Sequence, residues 1–293
     1  MKVAIYGQTF KEGDGQCIVA LLEELEKLEA KVFAEEHFNR LIGNLVGDRI
    51  HGTFSPSNGL DADFDMFVSF GGDGTMLRAV TYIKDLGIPI VGVNTGRLGF
   101  LSTIKKEDVR KLVTEFVAGH YTVEQRSLVE VELGSEADTF KGLNFALNEV
   151  TVSRKGTTSM ITVETYLDDE YLTSYWADGL ILSTPTGSTG YSLSCGGPVI
   201  APTAKSLVLT PIAPHNLNAR PLVIADDTKI RLKVSGREDT HLISLDSRIS
   251  DLPSGVEIRI SKSKFGINMI EYDSESFLKT LRNKLLWGED RRN

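Results

Sequence analysis

Residues Gly71-Gly72-Asp73-Gly74-Thr75 put three glycines and one carboxylate into five consecutive positions, directly after the apolar run Val68–Phe70. Glycine leaves no Cβ between backbone and ligand and tolerates φ > 0. A helix starting near Thr75 would aim unpaired N–H groups and the positive end of its dipole at the same point. Such a turn can cradle a phosphate. An aspartate there repels phosphate unless it has another task, and two tasks fit. It can hold a metal ion, or it can accept the proton of a hydroxyl that attacks a phosphoryl group. A plain helix cap is the simpler alternative, but a cap has no use for a bare backbone on both sides. Two familiar phosphate motifs are absent: no G-x-G-x-x-G follows a strand, and no G-x-x-x-x-G-K-[ST] occurs. Arg78, four residues after Gly74, and Arg97 are candidate phosphate-neutralising cations, each equally readable as an exposed arginine or an ion-pair partner.

A second concentration of polar chemistry lies in DGLILSTPTGSTGYSLSCGGPVI, Asp178–Ile200. Eight of the twelve residues from Ser183 to Ser194 carry hydroxyls, with Gly187 and Gly190 among them. Hydroxyls and exposed amides read neutral sugar and base edges, and glycines let a loop close against a flat ring. A Ser/Thr-rich surface loop has the same composition. Anchorage by the apolar run Gly179–Leu182 on one side and GGPVI on the other favours binding. Asn148 and Glu149 stand side by side just before another strand. Trp176 reads as a core tryptophan rather than a ring that stacks on a ligand. Among five histidines, none has metal-ligand spacing, and His215 in APHNL is the one expected nearest the polar loop.

Two different kinds of element must position these groups. Over residues 1–120, short apolar runs (Lys2–Tyr6, KVFAE, Asp65–Phe70, Gly87–Asn94) alternate with helical stripes. The stripes are Ile18, Leu21, Leu22, Leu25 and Leu28; Phe38, Leu41, Ile42 and Leu45; and Val109, Leu112, Val113 and Phe116. Alternation of this kind predicts parallel βαβ units in a doubly wound α/β domain. From residue 121 to 273, short segments rich in Val, Ile, Thr and Tyr are separated by turn residues, which predicts an all-β, sandwich-like second domain. YLDDEYL reads as a hairpin turning at Asp168-Asp169. Residues 274–293 return to a helical pattern, with Phe277, Leu278, Leu281 and Leu285 on one side, expected to pack back on the first domain.

The chain of 293 residues carries 32 Lys+Arg against 40 Asp+Glu, a net charge of −8 with a pI near 5.3. A nucleic-acid partner calls for a basic excess, so none is expected. No stretch has the length of a membrane span, and MKVAIYGQTF lacks the apolar run of a secretion signal. Cys17 and Cys195 offer neither a disulfide framework nor zinc spacing. The expectation is a cytoplasmic protein.

GGDGT at Gly71–Thr75 resembles the signature shared by NAD kinases, diacylglycerol and sphingosine kinases and, more loosely, phosphofructokinases. With Asn148-Glu149-Val150, the Asp178–Ile200 segment and LTPIAPHNLNARPLVI (Leu209–Ile224), in that order between Val68 and about Ser247, the chain resembles the bacterial NAD kinase family. The resemblance implies phosphoryl transfer from ATP, or polyphosphate, to the 2′-hydroxyl of the adenosine ribose of NAD, giving NADP. It implies Asp73 as proton acceptor, Gly74 against the dinucleotide, and Asn148 and Glu149 at ribose and adenine edges. Asp178, Thr186, Thr189, Gly190, Tyr191, Ser192, Leu193 and Ser194 would hold adenine and the nicotinamide end. Ala213 and Arg248 complete the binding set, Arg248 standing where a glutamine is often found. Mg²⁺ is expected from the reaction class, held largely by nucleotide phosphates, and a homodimer or homotetramer is implied. A lipid or sugar kinase sharing the turn and a non-catalytic NAD(P) sensor remain the alternatives.

Overall fold

Lys2–Gly7, Met66–Phe70 and Ile90–Asn94 are short, apolar and almost wholly buried. Such strands suit the middle of a parallel sheet covered by helices on both faces. In the computed structural model, which describes residues 1–134, 139–156, 159–272 and 276–286, they pair in parallel: Ile5 lies opposite Ala34 on one side and Val68 on the other, and Val68 opposite Val91. The spatial order is Ile90–Asn94, Met66–Phe70, Lys2–Gly7, Lys31–Glu35, Gly52–Phe54. Chain order therefore reverses between Lys2–Gly7 and Met66–Phe70, and open α/β sheets bind ligands at the carboxyl ends of strands flanking such a switch. The glycine turn begins there, at Gly71.

The helices cover this sheet with most of the stripe residues their spacing predicts, although Leu28, past the end of its helix, is exposed. Gly15–Lys27 buries Ile18, Leu21, Leu22 and Leu25, and Val109–Ala118 buries Val109, Leu112 and Val113. Glu36–Val46 buries Phe38, Ile42 and Val46, and its first turn is capped by Glu35, which accepts the Phe38 N–H at 2.9 Å. Leu41, expected on that stripe, is exposed, because a four-residue repeat from Phe38 rotates it outward. The C-terminal helix Phe277–Leu285 is capped by Ser276 Oγ, which accepts the Lys279 N–H at 3.2 Å, and its Phe277 ring lies 6.4 Å from Phe100. Three short additions have no sequence signal: Gly52–Phe54, Ile104–Lys105 beside Ile90–Asn94, and Met269, which pairs with Ile90. This unit comprises the described residues up to Gln125 and those from Ile267 onward.

The second unit, within Arg126–Gly266, is β-rich. One antiparallel sheet runs Leu222–Ala225, Ser206–Ile212, Gly179–Ser183, Glu149–Ser153, Thr240–Leu245, Arg248–Pro253. Glu170–Ala177, Ile161–Leu167, Ile230–Ser235 and the first part of Glu257–Glu271 form another antiparallel array. Val150, Val152, Leu180, Leu182, Leu207 and Leu209 from the first share one core with Val163, Tyr175, Leu232, Val234, Ile258 and Ile260 from the second, as in a sandwich. Asp168 and Asp169 turn their hairpin with φ of 47° and 67°, the positive pair of a type I′ turn. Trp176 departs from its expected core position. It lies on the outer strand Glu170–Ala177, where alternation points Tyr175 and Ala177 inward and leaves the indole 47% exposed, 4.4 Å from the His215 ring. No described helix is long and apolar enough to cross a membrane.

Candidate active site

The helix after the glycine turn starts two residues earlier than the sequence predicts. It spans Asp73–Ile83, and Gly72, extended at φ −91° and ψ −170°, is the cap residue. Asp73 is thus the first helical residue, not a cap. Its three glycine neighbours serve different ends. Gly71 has φ +150°, and a Cβ there would stand 2.3 Å from Thr75 Oγ1, so the fold itself demands glycine. At Gly72 and Gly74 an added Cβ would meet nothing within 4 Å. Packing within the chain does not explain those two. They leave bare backbone beside a helix N-terminus, at the sheet's switch point.

The Asp73 carboxylate is tied to the loop that follows Ile90–Asn94. Oδ2 accepts the Phe100 N–H at 2.8 Å, and Oδ1 accepts those of Leu101 and Ser102, both at 3.0 Å. Ser102 Oγ donates to the Gly71 carbonyl at 2.7 Å. Asn94 braces the loop's other end, with its side-chain oxygen accepting the Gly96 N–H at 2.7 Å and its Nδ2 donating to the Arg97 carbonyl at 2.8 Å. A Cβ at Gly99 would stand 1.7 Å from Asp73 Oδ1, so this approach requires glycine. Arg78 is exposed, beside Glu35, Tyr6 and Tyr82, whose phenol pKa values burial pushes up. Arg97 is exposed as well.

In the second unit, half of the eight hydroxyls between Ser183 and Ser194 hold the loop together instead of facing outward. Thr184 Oγ1 donates to the Leu147 carbonyl at 2.6 Å and accepts the Gly187 N–H at 3.2 Å. Ser188 Oγ donates to the Pro185 carbonyl at 2.7 Å and accepts the Ile200 N–H at 2.9 Å. Ser183 Oγ donates to the Thr184 carbonyl, and Ser192 Oγ pairs with Thr210 Oγ1 at 2.8 Å. All four residues are fully buried. Ser192, a candidate contact by sequence, is therefore scaffolding. Thr189 Oγ1 donates to the Thr186 carbonyl at 3.2 Å, Leu193 is half-buried, and Ser194 and Tyr191 are exposed.

What the loop presents is a group of polar atoms without partners. Thr186 Oγ1, Asn148 Oδ1 and Glu149 Oε2 are buried and find no hydrogen-bond partner among the described residues. A Cβ at Gly187 would stand 2.1 Å from the Asn148 carbonyl oxygen, and one at Gly190 3.1 Å from Glu149 Oε2. The two glycines thus bring the loop onto Asn148-Glu149. A buried polar group without a partner costs about 1–3 kcal/mol, and three together suit a surface completed by a ligand. Burial, and then the neighbouring Asp246 charge, push the Glu149 carboxyl up to about 8, although it accepts the Tyr191 N–H.

Asp246, like the loop Phe100–Ser102, is a feature that sequence reasoning missed. It sits in the tight turn between Thr240–Leu245 and Arg248–Pro253 with φ 52°, and its buried carboxylate accepts the N–H groups of Leu147, Asn148 and Glu149 at 2.8–3.2 Å. Arg248 reaches inward from the same turn to donate to the carbonyls of Leu143 and Phe145. Together they grip the segment that presents Asn148 and Glu149, so Arg248 supports that segment through its backbone. An Asp in a two-residue turn is a visible signal, but its distant target is not. Asp178 is paired with Arg154 at 2.9 Å, and its charge, with that of Glu149, is felt at the Tyr191 phenol. Ala213 follows the strand whose Ile212 carbonyl accepts the Asp178 N–H, and it holds a left-handed φ of 43°, uncommon outside glycine. Among the described residues, no three His, Cys, Asp or Glu side chains are grouped to hold a metal ion. Asp73, Gly74, Arg78 and Arg97 belong to the first unit and the other candidates to the second.

Comparison with known proteins gives consistent matches. Residues 31–121 match the model of the ATP-NAD kinase N-terminal domain and residues 147–272 that of the ATP-NAD kinase C-terminal domain. NAD kinases of Flavobacterium psychrophilum and Christiangramia forsetii are 54% and 55% identical, each alignment covering the whole of both chains. Among solved structures, a yeast NADH kinase complexed with NADH superposes with a TM-score of 0.85 at 26% identity, covering 100% of this chain and 89% of that one. An NAD kinase from Archaeoglobus fulgidus in complex with ATP gives 0.75 at 28% identity, covering 98% and 99%.

Proposed function

The chain belongs to the NAD kinase family, and from that premise we propose how its residues divide the work of phosphorylating NAD to NADP with ATP. The reaction forms a bond from the adenosine ribose 2′-oxygen to the γ-phosphorus, breaks the bond from that phosphorus to ADP, and releases the hydroxyl proton. The transferred group passes through a loose transition state, so catalysis rests on positioning and charge neutralisation. Asp73 accepts the proton. It is the one ionisable side chain in the elbow Gly71–Thr75. Three N–H groups occupy three of its four lone-pair positions and leave one on Oδ2 for a hydroxyl. The observation that carries this assignment is the unneeded bareness of Gly72 and Gly74 on either side of that carboxylate. Gly74 lets the dinucleotide approach the backbone, and Arg78 and Arg97 neutralise donor phosphates.

Asn148, Glu149 and Thr186 supply unfilled hydrogen-bonding capacity for ribose and base edges. Asp178, Thr189, Gly190, Tyr191, Leu193, Ser194 and Ala213 line the adenine and nicotinamide ends, while Ser192 and Arg248 support from behind. Mg²⁺ would accompany ATP, held largely by its phosphates. The protein acts in the cytoplasm as a homodimer or homotetramer, which sedimentation of the full chain measures.

Pure protein given ATP, Mg²⁺ and NAD, coupled to an NADP-specific dehydrogenase, is expected to form NADP. Asp73→Asn is expected to lower kcat by about 10²–10⁴-fold with far less change in the KM for NAD. A variant with wild-type kcat would mean that this carboxylate takes no part in the chemistry, and no NADP from the wild-type protein would leave a dinucleotide binder.

A further inference from the structure

The N–H groups that hold Asp73 come from a loop with its own support, and that support is the C-terminal helix. Phe100 donates its N–H to Asp73 Oδ2, while its side chain points to Phe277–Leu285. Its ring lies 6.4 Å from that of Phe277, tilted by 43°, and Lys284 Nζ lies 5.7 Å from its centroid. Both distances are within the range of favourable aromatic and cation–π contacts. The next two N–H groups, of Leu101 and Ser102, complete the grip on the carboxylate, and Gly99 passes so close to Oδ1 that no side chain fits. Contact thus runs without a break from the helix through one side chain to three backbone donors on one carboxylate.

We propose that Phe277 and Lys284, acting through Phe100, are positioning residues for Asp73, and that the C-terminal helix sets the orientation in which that carboxylate meets the sugar hydroxyl. The proposal rests on the reading of Asp73 as the proton acceptor. With both oxygens fixed, the free position on Oδ2 has one direction. Loosening Phe100 releases one of the three N–H bonds and lets the carboxylate rotate. Misplacement by about 1 Å can cost about 100-fold in rate. Substrate affinity, carried by other groups, need not change.

The test uses the full-length protein and three variants, Phe277→Ala, Phe277→Tyr and Lys284→Ala, with Asp73→Asn in parallel. Phe277→Ala is expected to lower kcat about 10- to 100-fold with KM for NAD and for ATP within about twofold. Backbone amides of Phe100, Leu101 and Ser102 should then exchange with deuterium at least about tenfold faster, as expected of a locally loosened segment. Phe277→Tyr, which keeps the ring, should restore both. Lys284→Ala, a change at an exposed position, should shift both in the same direction by a smaller factor. If Phe277→Ala does not fold, Lys284→Ala decides: unchanged kcat with unchanged exchange at Phe100–Ser102 overturns the proposal. A loss in Phe277→Ala that appears in KM as much as in kcat, or that Phe277→Tyr fails to restore, also overturns it. Should Asp73→Asn retain full activity, the catalytic reading of Asp73 fails. An inactive Asp73→Asn beside a fully active Phe277→Ala sinks the positioning role alone.

Discussion

At the scale of single residues, the Glu149 carboxyl lies far from its ordinary behaviour. Burial first, and the Asp246 charge second, push its carboxyl from 4.5 up to about 8, so near neutral pH it is mostly the acid and can donate as well as accept a hydrogen bond. The folded state keeps a proton that the unfolded chain releases, so the stabilisation is complete below about pH 4.5 and is lost as pH rises through about 8. Between pH 7 and 9 that amounts to about 1 kcal/mol. Glu149→Gln, neutral at every pH, should lack this decline. Urea midpoints of both proteins at pH 6, 7, 8 and 9 measure it; parallel curves would mean that Glu149 is ionised throughout. The wild-type minus variant difference reports the carboxyl pair, because removing one charge also relieves Asp246, whose own pKa burial raises.

At the scale of the element, Met66–Phe70, the glycine turn and Asp73–Ile83 form one strand–turn–helix unit whose glycines separate fold from function. Gly74 lies in the first turn of the helix, with open space where its Cβ would stand. Alanine there should therefore stabilise the protein by about 0.5–1 kcal/mol. In the proposed site the same methyl meets the dinucleotide. Gly74→Ala should raise the thermal midpoint while lowering kcat/KM for NAD at least about tenfold, a 1.4 kcal/mol loss. A Gly74→Ala enzyme of normal activity would show that no substrate approaches this backbone. This element was legible in the sequence because its parts are local: an apolar run, glycines, and the start of a helix near Thr75. The hydroxyl-rich segment was legible as important, but not in its division of labour. Ser183, Thr184, Ser188 and Ser192 turn inward to the carbonyls of Leu147, Pro185 and Thr184 and to Thr210, contacts set partly by strand pairing across the sheet. Nothing in their local spacing marks them off from Thr186, whose hydroxyl is left without a partner. Asp246 and the loop Phe100–Ser102 escaped notice for the same reason: their partners lie 97 to 99 and 27 to 29 residues away.

At the scale of the whole molecule, the two units differ in how the chain builds them. The change of period near His120 marks where strands take over, and it is visible because period is a local property. The return is hidden, because Glu257–Glu271 is one uninterrupted strand that serves both units. Its last part, with the residue after it, places Ile270 and Tyr272 in the core of the first unit, pairs Met269 with Ile90, and lets the Tyr272 hydroxyl donate to the Leu112 carbonyl at 3.1 Å. Three buried side chains of this size contribute roughly 5–9 kcal/mol, comparable to the whole net stability of a domain. A chain ended after Gly266 also loses Phe277 and Lys284, the supports of Phe100. Its first unit should therefore not unfold cooperatively, although residues 1–125 are intact, whereas the second unit, built from one continuous segment with its own core, should keep its transition. Hydrogen exchange mapped along the shortened protein distinguishes the two halves. Protection should vanish in Lys2–Gly7, Met66–Phe70 and Ile90–Asn94 and persist in Gly179–Ser183 and Thr240–Leu245, and NADP formation should be abolished. Full protection of the first three strands in that shortened chain would mean that the parallel sheet stands without its returning strand.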